Sequence, residues 1–493
     1  MISNREEVRK IFEDDGYNVL VLDEQAQNKY SEKRFEISDH KDKGFIEPSD
    51  SDESVRKTQH VIKPATQIIQ PGTEDEYDIT TIVEYLNWHM RRIDKIVINR
   101  EEIIRQAIYA ILTGEHMLLL SRTGMAKSYL ANSIFNIFEG ARLFASQASK
   151  DQTPDNYFGP YNIEEFRRGR IRHNIKGSII EANLVFLDEF FDASDVVLRS
   201  LLSVLNERKF INGSEQIDAA IHTAIATANY MRMNEVTEAV MDRFTYKSII
   251  PKDNNVYSQL LIDGTYTARR GKPAEPDKKI YFNQILFLYN IITNNHRDIK
   301  VTVPGHIYFL KNVFVNKFVS EMRKNDQNFF ISPRKQAKLG DFLRASAIVN
   351  SRFEVNMDDL RDMYLALCTL NSFVSVKSMD KSEKDLYFDV YQKTLNHFKA
   401  NGALSQIEFL LGIRALFEEI KNDPEKKEQI LKKGSMLESL KNLIRMVFTG
   451  RRRDEDEEFT LDSLKKSVFE VNSSVEEVNE LKNGILKEYR ELT

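Results

Sequence analysis

Three short apolar runs, HMLLLS (116–121), NLVFLDE (183–189) and HTAIATAN (222–229), each end in polar groups. Continuous apolar runs of this length suit strands buried on both faces, as in a parallel α/β sheet. Ahead of them the period changes. ITTIVEYLNWHMRRIDKIV, from Ile79, repeats apolar residues three and four apart and predicts an amphipathic helix. NREEIIRQAIYAIL predicts a second, with Asn99 as its N-cap and Glu102 three residues on. After Pro251 a loop-like stretch, DGTYTARRGKPAEPDKK (263–279), leads to four helical patterns: YFNQILFLYNII, IYFLKNVFVNKFVSEM, RKQAKLGDFLRASAIV and MDDLRDMYLALC. The remainder, to Thr493, is also helical and more charged. Near its end Leu461, Leu464, Val468, Val471, Val475 and Val478 form a heptad-like seam that fails at Lys482. Under three heptads long, it suits a helix packing on its own domain better than a partner coiled coil.

These changes of texture divide the chain. Residues 1–75, with the acidic EPSDSDES (47–54) and IQPGTEDE (69–76), have weak periodicity and predict a mobile arm. Residues 76–250 read as an α/β core, 251–279 as a linker, 280–370 as a helical lid and 371–493 as a C-terminal helical region. A length of 493 residues fits two to four domains, and 41% hydrophobic with 29% charged residues fits a soluble globular protein. A net charge of −5 gives no general reason to expect nucleic acid as the partner. The single cysteine, Cys368 in LALCTL, excludes an intrachain disulfide, fits a reducing compartment and reads as a small core residue. The start, MISNREEVRK, lacks the apolar core of a signal peptide, and QILFLYNII (284–292) is too short to span a bilayer. A cytoplasmic protein without membrane insertion is expected.

In a parallel sheet, ligands gather at the carboxyl ends of the strands. There the first apolar run enters SRTGMAKS (121–128), close to a phosphate-binding loop. Strand, tight turn and helix in that order present backbone N–H groups and a helix N-terminus to an anion. Gly124 lets the backbone approach phosphate, Lys127 would neutralise β and γ phosphates, and Ser128 would hold Mg²⁺. Ser121 and Ala126 stand where glycines are usual. The Ala126 methyl is tolerable if its φ is negative; Ser121 is the larger departure. At the end of the second run Asp188 would join the Mg²⁺ shell and Glu189 would polarise the attacking water. Asn229, ending the third, would orient that water or touch the γ-phosphate. Arg243, in VMDRF, is a candidate for a neighbour's γ-phosphate, although Asp–Arg pairs are routinely surface ion pairs.

In this order the residues resemble an AAA+ ATPase, and within that superfamily the MoxR family, especially its RavA-like branch. TGMAKS looks like that family's P-loop, in which alanine before the lysine is usual. TPDNYFGPYNI and GRIRHNIKGSIIEANLVFLDEFFDAS resemble its insert and Walker B region, and LRSLLSVLNERKFINGS its next helix and hairpin. AIATANY corresponds to sensor 1, MDRF to the arginine-finger segment, and ISPRKQAKLGDFLRASAIV to the sensor 2 helix of the lid. The resemblance runs from about residue 80 to 370 and implies a P-loop AAA+ α/β core with an all-α lid. It further implies ATP and Mg²⁺ bound between the subunits of a homo-oligomeric ring, a hexamer. Gly124, Met125, Ala126, Lys127, Ser128 and Tyr129 would hold the nucleotide. Asp188, Glu189, Asn229 and Arg334 would serve the same site in cis and Arg243 the neighbour's in trans; Arg208, in NER, would reach an interface. The family implies chaperone-like remodeling of a protein client, with a von Willebrand factor A domain protein as partner.

Two other readings share these residues. A nucleotide-responsive scaffold would bind ATP and hydrolyse it weakly; Ser121 favours it, while Lys127, Asp188 and Glu189 favour catalysis. A motor in a nucleic-acid or defence complex would use RRR at 451–453, but DEDEE follows at once, as in a mixed charged loop. Salt-dependent DNA or RNA binding would discriminate the last. Nothing in the residues distinguishes ATP from GTP.

Overall fold

The computed structural model describes residues 77–122, 124–213, 215–230, 239–250, 255–269, 279–325, 327, 329–368, 381–422 and 461–490. The N-terminal arm expected over 1–75 and the charged run at 451–458 lie outside the described residues. Two compact units are distinguished, one holding a helix at Val256–Arg269 and the other holding every other element described below.

Helices α1 (Ile79–Asp94) and α2 (Glu101–Leu112) open the larger unit. The Asp78 carboxylate caps α1, accepting from the Thr80 and Thr81 amides at 3.0 and 3.3 Å. Asn99 does not cap α2 as expected. Arg100 takes the N-cap position, and Asn99 stands before it at φ 57°, a left-handed conformation that asparagine tolerates better than most residues.

The chain then alternates strands and helices: β1 (Met117–Leu120), α3 (Lys127–Phe135), β2 (Phe138–Glu139), β3 (Leu143–Gln147), α4 (Asp155–Phe158), α5 (Ile163–Arg167), β4 (Leu184–Asp188), α6 (Asp195–Glu207), a hairpin of β5 (Lys209–Asn212) and β6 (Glu215–Asp218), β7 (Thr223–Ala228) and β8 (Tyr246–Ile249). The main sheet has order β3-β4-β7-β1-β8, every neighbour parallel. The three apolar runs are β1, β4 and β7, the three inner strands. Their two faces feed separate cores. Met117, Leu119, Leu184, Phe186 and Ile225 join α1, α2 and the later helices, while Leu118, Val185, Leu187, Ala224 and Ala226 lie under α6 and the 155–158 turn. Burial on both faces is why these strands read as unbroken apolar runs rather than as alternations. The outer strands β3 and β8 were not expected; LFASQ and YKSI are short and mix polar with apolar residues, so neither carries a clear period.

Helix α7 (Val256–Arg269) occupies part of the stretch read as linker, because its leucines and glutamine favour helix enough to carry the single Gly264. After the short β9 (Ile280–Tyr281) come α8 (Phe282–Ile292), α9 (Gly305–Arg323), α10 (Pro333–Val349), α11 (Met357–Asp362) and α12 (Tyr364–Leu367). The last expected helix is therefore divided at Met363. Ser332 caps α10, and Pro333 sits at its start, where the missing N–H costs nothing. Helices α13 (Glu383–Ala400), α14 (Ala403–Asn422), α15 (Leu461–Glu470) and α16 (Glu476–Glu488) complete the described chain. Leu464, Val468, Val471, Val475 and Val478 are buried in the first core, so the seam packs on its own unit; it runs through two helices with a break between Glu470 and Glu476. Cys368 is free and buried, and among the described residues no helix is long and apolar enough to cross a membrane.

Candidate nucleotide site

At the carboxyl edge of the sheet, β1 runs through Ser121 into a tight turn and α3. The Ser121 amide donates to the Ala228 carbonyl at 3.0 Å, extending the pairing of β1 with β7 by one residue. Its hydroxyl folds back to donate to the Arg122 carbonyl at 3.0 Å, so the unusual side chain is absorbed within its own loop. Gly124 has φ 83°, a conformation that favours glycine. Ala126 has φ 58° as well, contrary to the negative φ expected for it. An L-residue there costs about 1–2 kcal/mol, because its Cβ approaches the following carbonyl. Ala126→Gly is therefore expected to leave stability unchanged or raise it by up to about 1 kcal/mol, and Ala126→Val to lower it, in urea unfolding.

The turn sets Lys127 and Ser128 at the first turn of α3, facing the ends of β4 and β7. The Lys127 ammonium donates to the Ser121 carbonyl at 3.1 Å and to the Asn229 side-chain oxygen. Burial pulls its pKa below the ordinary lysine value, and the charges of Asp188 and Glu189 oppose that pull. Ser128 donates its hydroxyl to one Asp188 oxygen at 2.8 Å. The other Asp188 oxygen accepts from the Thr227 hydroxyl and, at 3.0 Å, from the Glu189 amide. Glu189 is held on both oxygens, by the Asn229 amide at 3.2 Å and by the Gln147 amide at 2.9 Å. Met125 and Tyr129 are half-buried and pack on the first core rather than joining this polar cluster.

Lys127, Ser128, Asp188, Glu189 and Asn229 thus form one hydrogen-bonded constellation around the phosphate-binding turn. Ser128 and Asp188 offer a hydroxyl and a carboxylate, hard oxygen donors suited to Mg²⁺. Among the described residues no group of three or more His, Cys, Asp or Glu could cage a metal.

Two residues of this site were not anticipated. Gln147 ends β3 opposite Asp188 in register, and Thr227 lies next to Ala226, the partner of Leu187. Thr227 is fully buried within an apolar run, and Gln147 belongs to a strand without a sequence signature.

The candidate arginines lie elsewhere. Arg243 precedes β8, whose first residue Tyr246 pairs with Met117 at the amino end of β1. From that level to the phosphate-binding turn β1 rises about 13 Å. Arg243 donates to the Ala239 carbonyl at 2.8 Å, and its Nε is buried without a partner among the described residues. Arg208 donates to the Gly114, Ile221 and His222 carbonyls, which ties the hairpin to the amino ends of β1 and β7 rather than presenting the guanidinium outward. Arg334, expected in the cis site, stands near Arg208 and Lys338. Burial lowers the pKa of both, and the Arg334 charge adds to that lowering. Lys338 in turn donates to Glu115, just ahead of β1, so α10 places Arg334 toward the amino edge and not with Lys127. The structure does not bring Arg334 into the constellation, because the packing of the lid, not the motif, sets its position.

Lys338, Glu115 and Thr245 join lid to core. The Glu115 carboxylate accepts from Lys338 and, at 2.6 Å, from the Thr245 hydroxyl. Lys338→Met would leave this largely buried carboxylate short of its counter-ion. A loss of about 1–3 kcal/mol is expected in thermal or urea melts, partly recovered by adding Glu115→Gln.

Comparison with known proteins bears on the fold. Residues 84–289 match the model of the MoxR domain in the MoxR-vWA-beta-propeller ternary systems, and residues 311–369 match a model of an AAA lid domain. An uncharacterized protein of Methanocaldococcus jannaschii is 25% identical over 287 residues, 57% of this chain and 70% of its own. Chaperone MoxR1 of Mycobacterium tuberculosis is 23% identical over 310 residues, 61% of this chain and 78% of its own. A solved structure of an inferred ATPase of Cytophaga hutchinsonii shares the fold, with TM-score 0.50 and 18% identity over 64% of this chain and 96% of that one. The parallel sheet with flanking helices and the all-α lid fit an AAA+ α/β fold, and over residues 84–289 and 311–369 the chain is similar to MoxR-type AAA+ proteins.

Proposed function

We propose that this protein is a Mg²⁺-dependent ATP hydrolase of the RavA-like branch, working in a homo-oligomeric ring, a hexamer, and coupling turnover to chaperone-like remodeling of a protein client. The observation that carries the reading is the single constellation of Lys127, Ser128, Asp188, Glu189 and Asn229 at the carboxyl edge of the sheet. In it Lys127 would give its charge to the β and γ phosphates, and the turn from Gly124 to Tyr129 would hold the phosphate chain. Ser128 and Asp188 would hold Mg²⁺, which neutralises charge developing on the phosphate oxygens. Thr227 keeps Asp188 fixed, leaving the oxygen now bonded to Ser128 for the metal. Glu189 would accept a proton from the attacking water, which Asn229 orients.

Arg243 and Arg334, lying toward the amino edge, would complete a neighbour's site in trans. Arg334 makes no hydrogen bond or ion pair among the described residues, which leaves its guanidinium available for that role. The matched MoxR model concerns systems with a vWA protein, and we take a vWA domain protein as the partner here. The buried free Cys368 fits a cytoplasmic setting. The test is ATP hydrolysis by purified protein with Mg²⁺ across a range of protein concentrations. Specific activity that rises with concentration supports an assembling ATPase; nucleotide binding without turnover would leave a scaffold.

A further inference from the structure

The two strand ends that carry Glu189 and Asn229 are tied together twice. One tie is the Asn229 amide, which donates to the Glu189 carboxylate at 3.2 Å. The other lies just beyond it: Tyr230, the residue after Asn229, donates its hydroxyl to the Asp192 carboxylate. Asp192 ends the 3₁₀ turn Phe190–Asp192 that follows Glu189, and its amide donates to the Glu189 carbonyl at 2.7 Å. Glu189, Asn229, Tyr230 and Asp192 therefore close a ring of covalent and hydrogen bonds at the edge of the sheet.

The backbone of Glu189 needs such a ring. It has φ 51° and ψ 38°, a left-handed conformation in which an L-residue crowds its Cβ against the following carbonyl. Backbone strain of this kind persists only where its surroundings over-determine it. On the apolar side of the turn they do. Phe190 and Phe191 are both buried in the second core, and Phe190 meets Phe244 edge-on at 5.7 Å. These rings leave the two carboxylates of the turn to polar contacts, and Tyr230 supplies one. A hydroxyl on a carboxylate makes a charge-assisted bond, about twice as strong as a neutral one, and a phenol holds it with only two side-chain torsions. Tyr230 is 47% exposed, so burial of its ring does not account for a tyrosine here.

We infer that Tyr230 and Asp192 are positioning residues, which hold the Glu189 carboxylate at its distance from the water that Asn229 orients. The inference rests on the ATPase reading of the site. A general base works only within hydrogen-bond reach of the proton it takes, and a misplacement of about 1 Å costs up to about 100-fold in rate. Without the Tyr230 bond the turn keeps its apolar anchor, but Glu189 is free to relax from the left-handed region and carry its carboxylate out of line. Asn229 stays with the phosphate-binding turn, because its side-chain oxygen accepts from Lys127. Nucleotide binding is then unchanged, and only the step that uses Glu189 slows.

The test is steady-state phosphate release by the full-length protein with Mg²⁺ and ATP, beside equilibrium binding of a fluorescent ATP analogue. Tyr230→Phe removes the hydroxyl and keeps the ring. Its kcat is expected to fall about tenfold, with KM and the analogue's Kd within about twofold of the parent. Asp192→Ala should lose as much, while Asp192→Asn, which keeps an oxygen for the phenol, should recover most of it. Because both losses concern one bond, Tyr230→Phe combined with Asp192→Ala should be no slower than either alone. In a Glu189→Gln background, where the positioned carboxylate is gone, Tyr230→Phe should change the residual kcat by less than about twofold. Parent-like kcat in Tyr230→Phe overturns the inference, and so does a tenfold loss that persists in Glu189→Gln. Losses that multiply in the double variant, or a KM that rises at constant kcat, overturn it as well. An unmodified protein without turnover overturns the ATPase reading and this inference with it; an active parent that is indifferent to Tyr230→Phe overturns this inference alone.

Discussion

Lys127→Ala and Glu189→Gln are expected to lower ATP turnover by at least about 100-fold each, but for different reasons. The Lys127 ammonium is already buried and directed into the site by the Ser121 carbonyl and the Asn229 side chain, so nothing else among these five residues can replace its charge on the phosphates. Its loss should weaken nucleotide binding as well as turnover. Glu189→Gln keeps the shape and both neighbours, Asn229 and Gln147, but removes the carboxylate that would take a proton from water. It should leave nucleotide affinity near that of the parent while turnover falls. Equilibrium binding of a fluorescent ATP analogue beside steady-state phosphate release separates the two. A Glu189→Gln protein that turns over like the parent would remove the catalytic reading and leave a nucleotide-binding scaffold.

The parts of this site that could be read in the sequence are those where burial and chemistry coincide along the chain. β1, β4 and β7 are buried on both faces, so their apolar runs announce strands, and the polar residues ending them, Ser121, Asp188 and Asn229, come together because parallel strands align their ends. Gln147 escaped because β3 is an outer strand of five residues with a mixed pattern. Thr227 escaped because one hydroxyl within TAIATA reads as a small core residue until the register sets it beside Asp188. Ala126 shows a different limit. Residue type biases φ without dictating it, and the turn requires a left-handed residue there whatever the side chain. Arg334 shows a third. The motif places it at the start of α10, but the Lys338–Glu115 contact and the packing of the lid decide which edge of the sheet it stands near.

The position of Arg243 makes an assembly prediction with an all-or-none contrast. Arg243→Ala alone is expected to lower turnover about 10³-fold, the scale of losing an arginine that stabilises charge on the transferred phosphoryl group. Arg243 lies at the level of the sheet's amino edge, and Lys127 at the carboxyl edge, so one chain's Arg243 is poorly placed to serve its own phosphates. If it serves a neighbour, Lys127→Ala subunits still carry a sound Arg243, and Arg243→Ala subunits still carry a sound Lys127. Each variant alone forms only broken sites. Mixed in equal amounts and allowed to exchange, an Arg243→Ala subunit followed by a Lys127→Ala subunit restores one complete site. Random heterologous assembly makes that arrangement at about one interface in four, so turnover should recover to roughly a quarter of the parent level. No recovery, with subunit exchange verified by energy transfer between labelled chains, would mean that Arg243 acts within its own chain or only supports the fold. The same mixture made with Arg334→Ala asks the question of the second arginine, and recovery there would assign it to the neighbour's site, opposite to the cis role that its motif suggested.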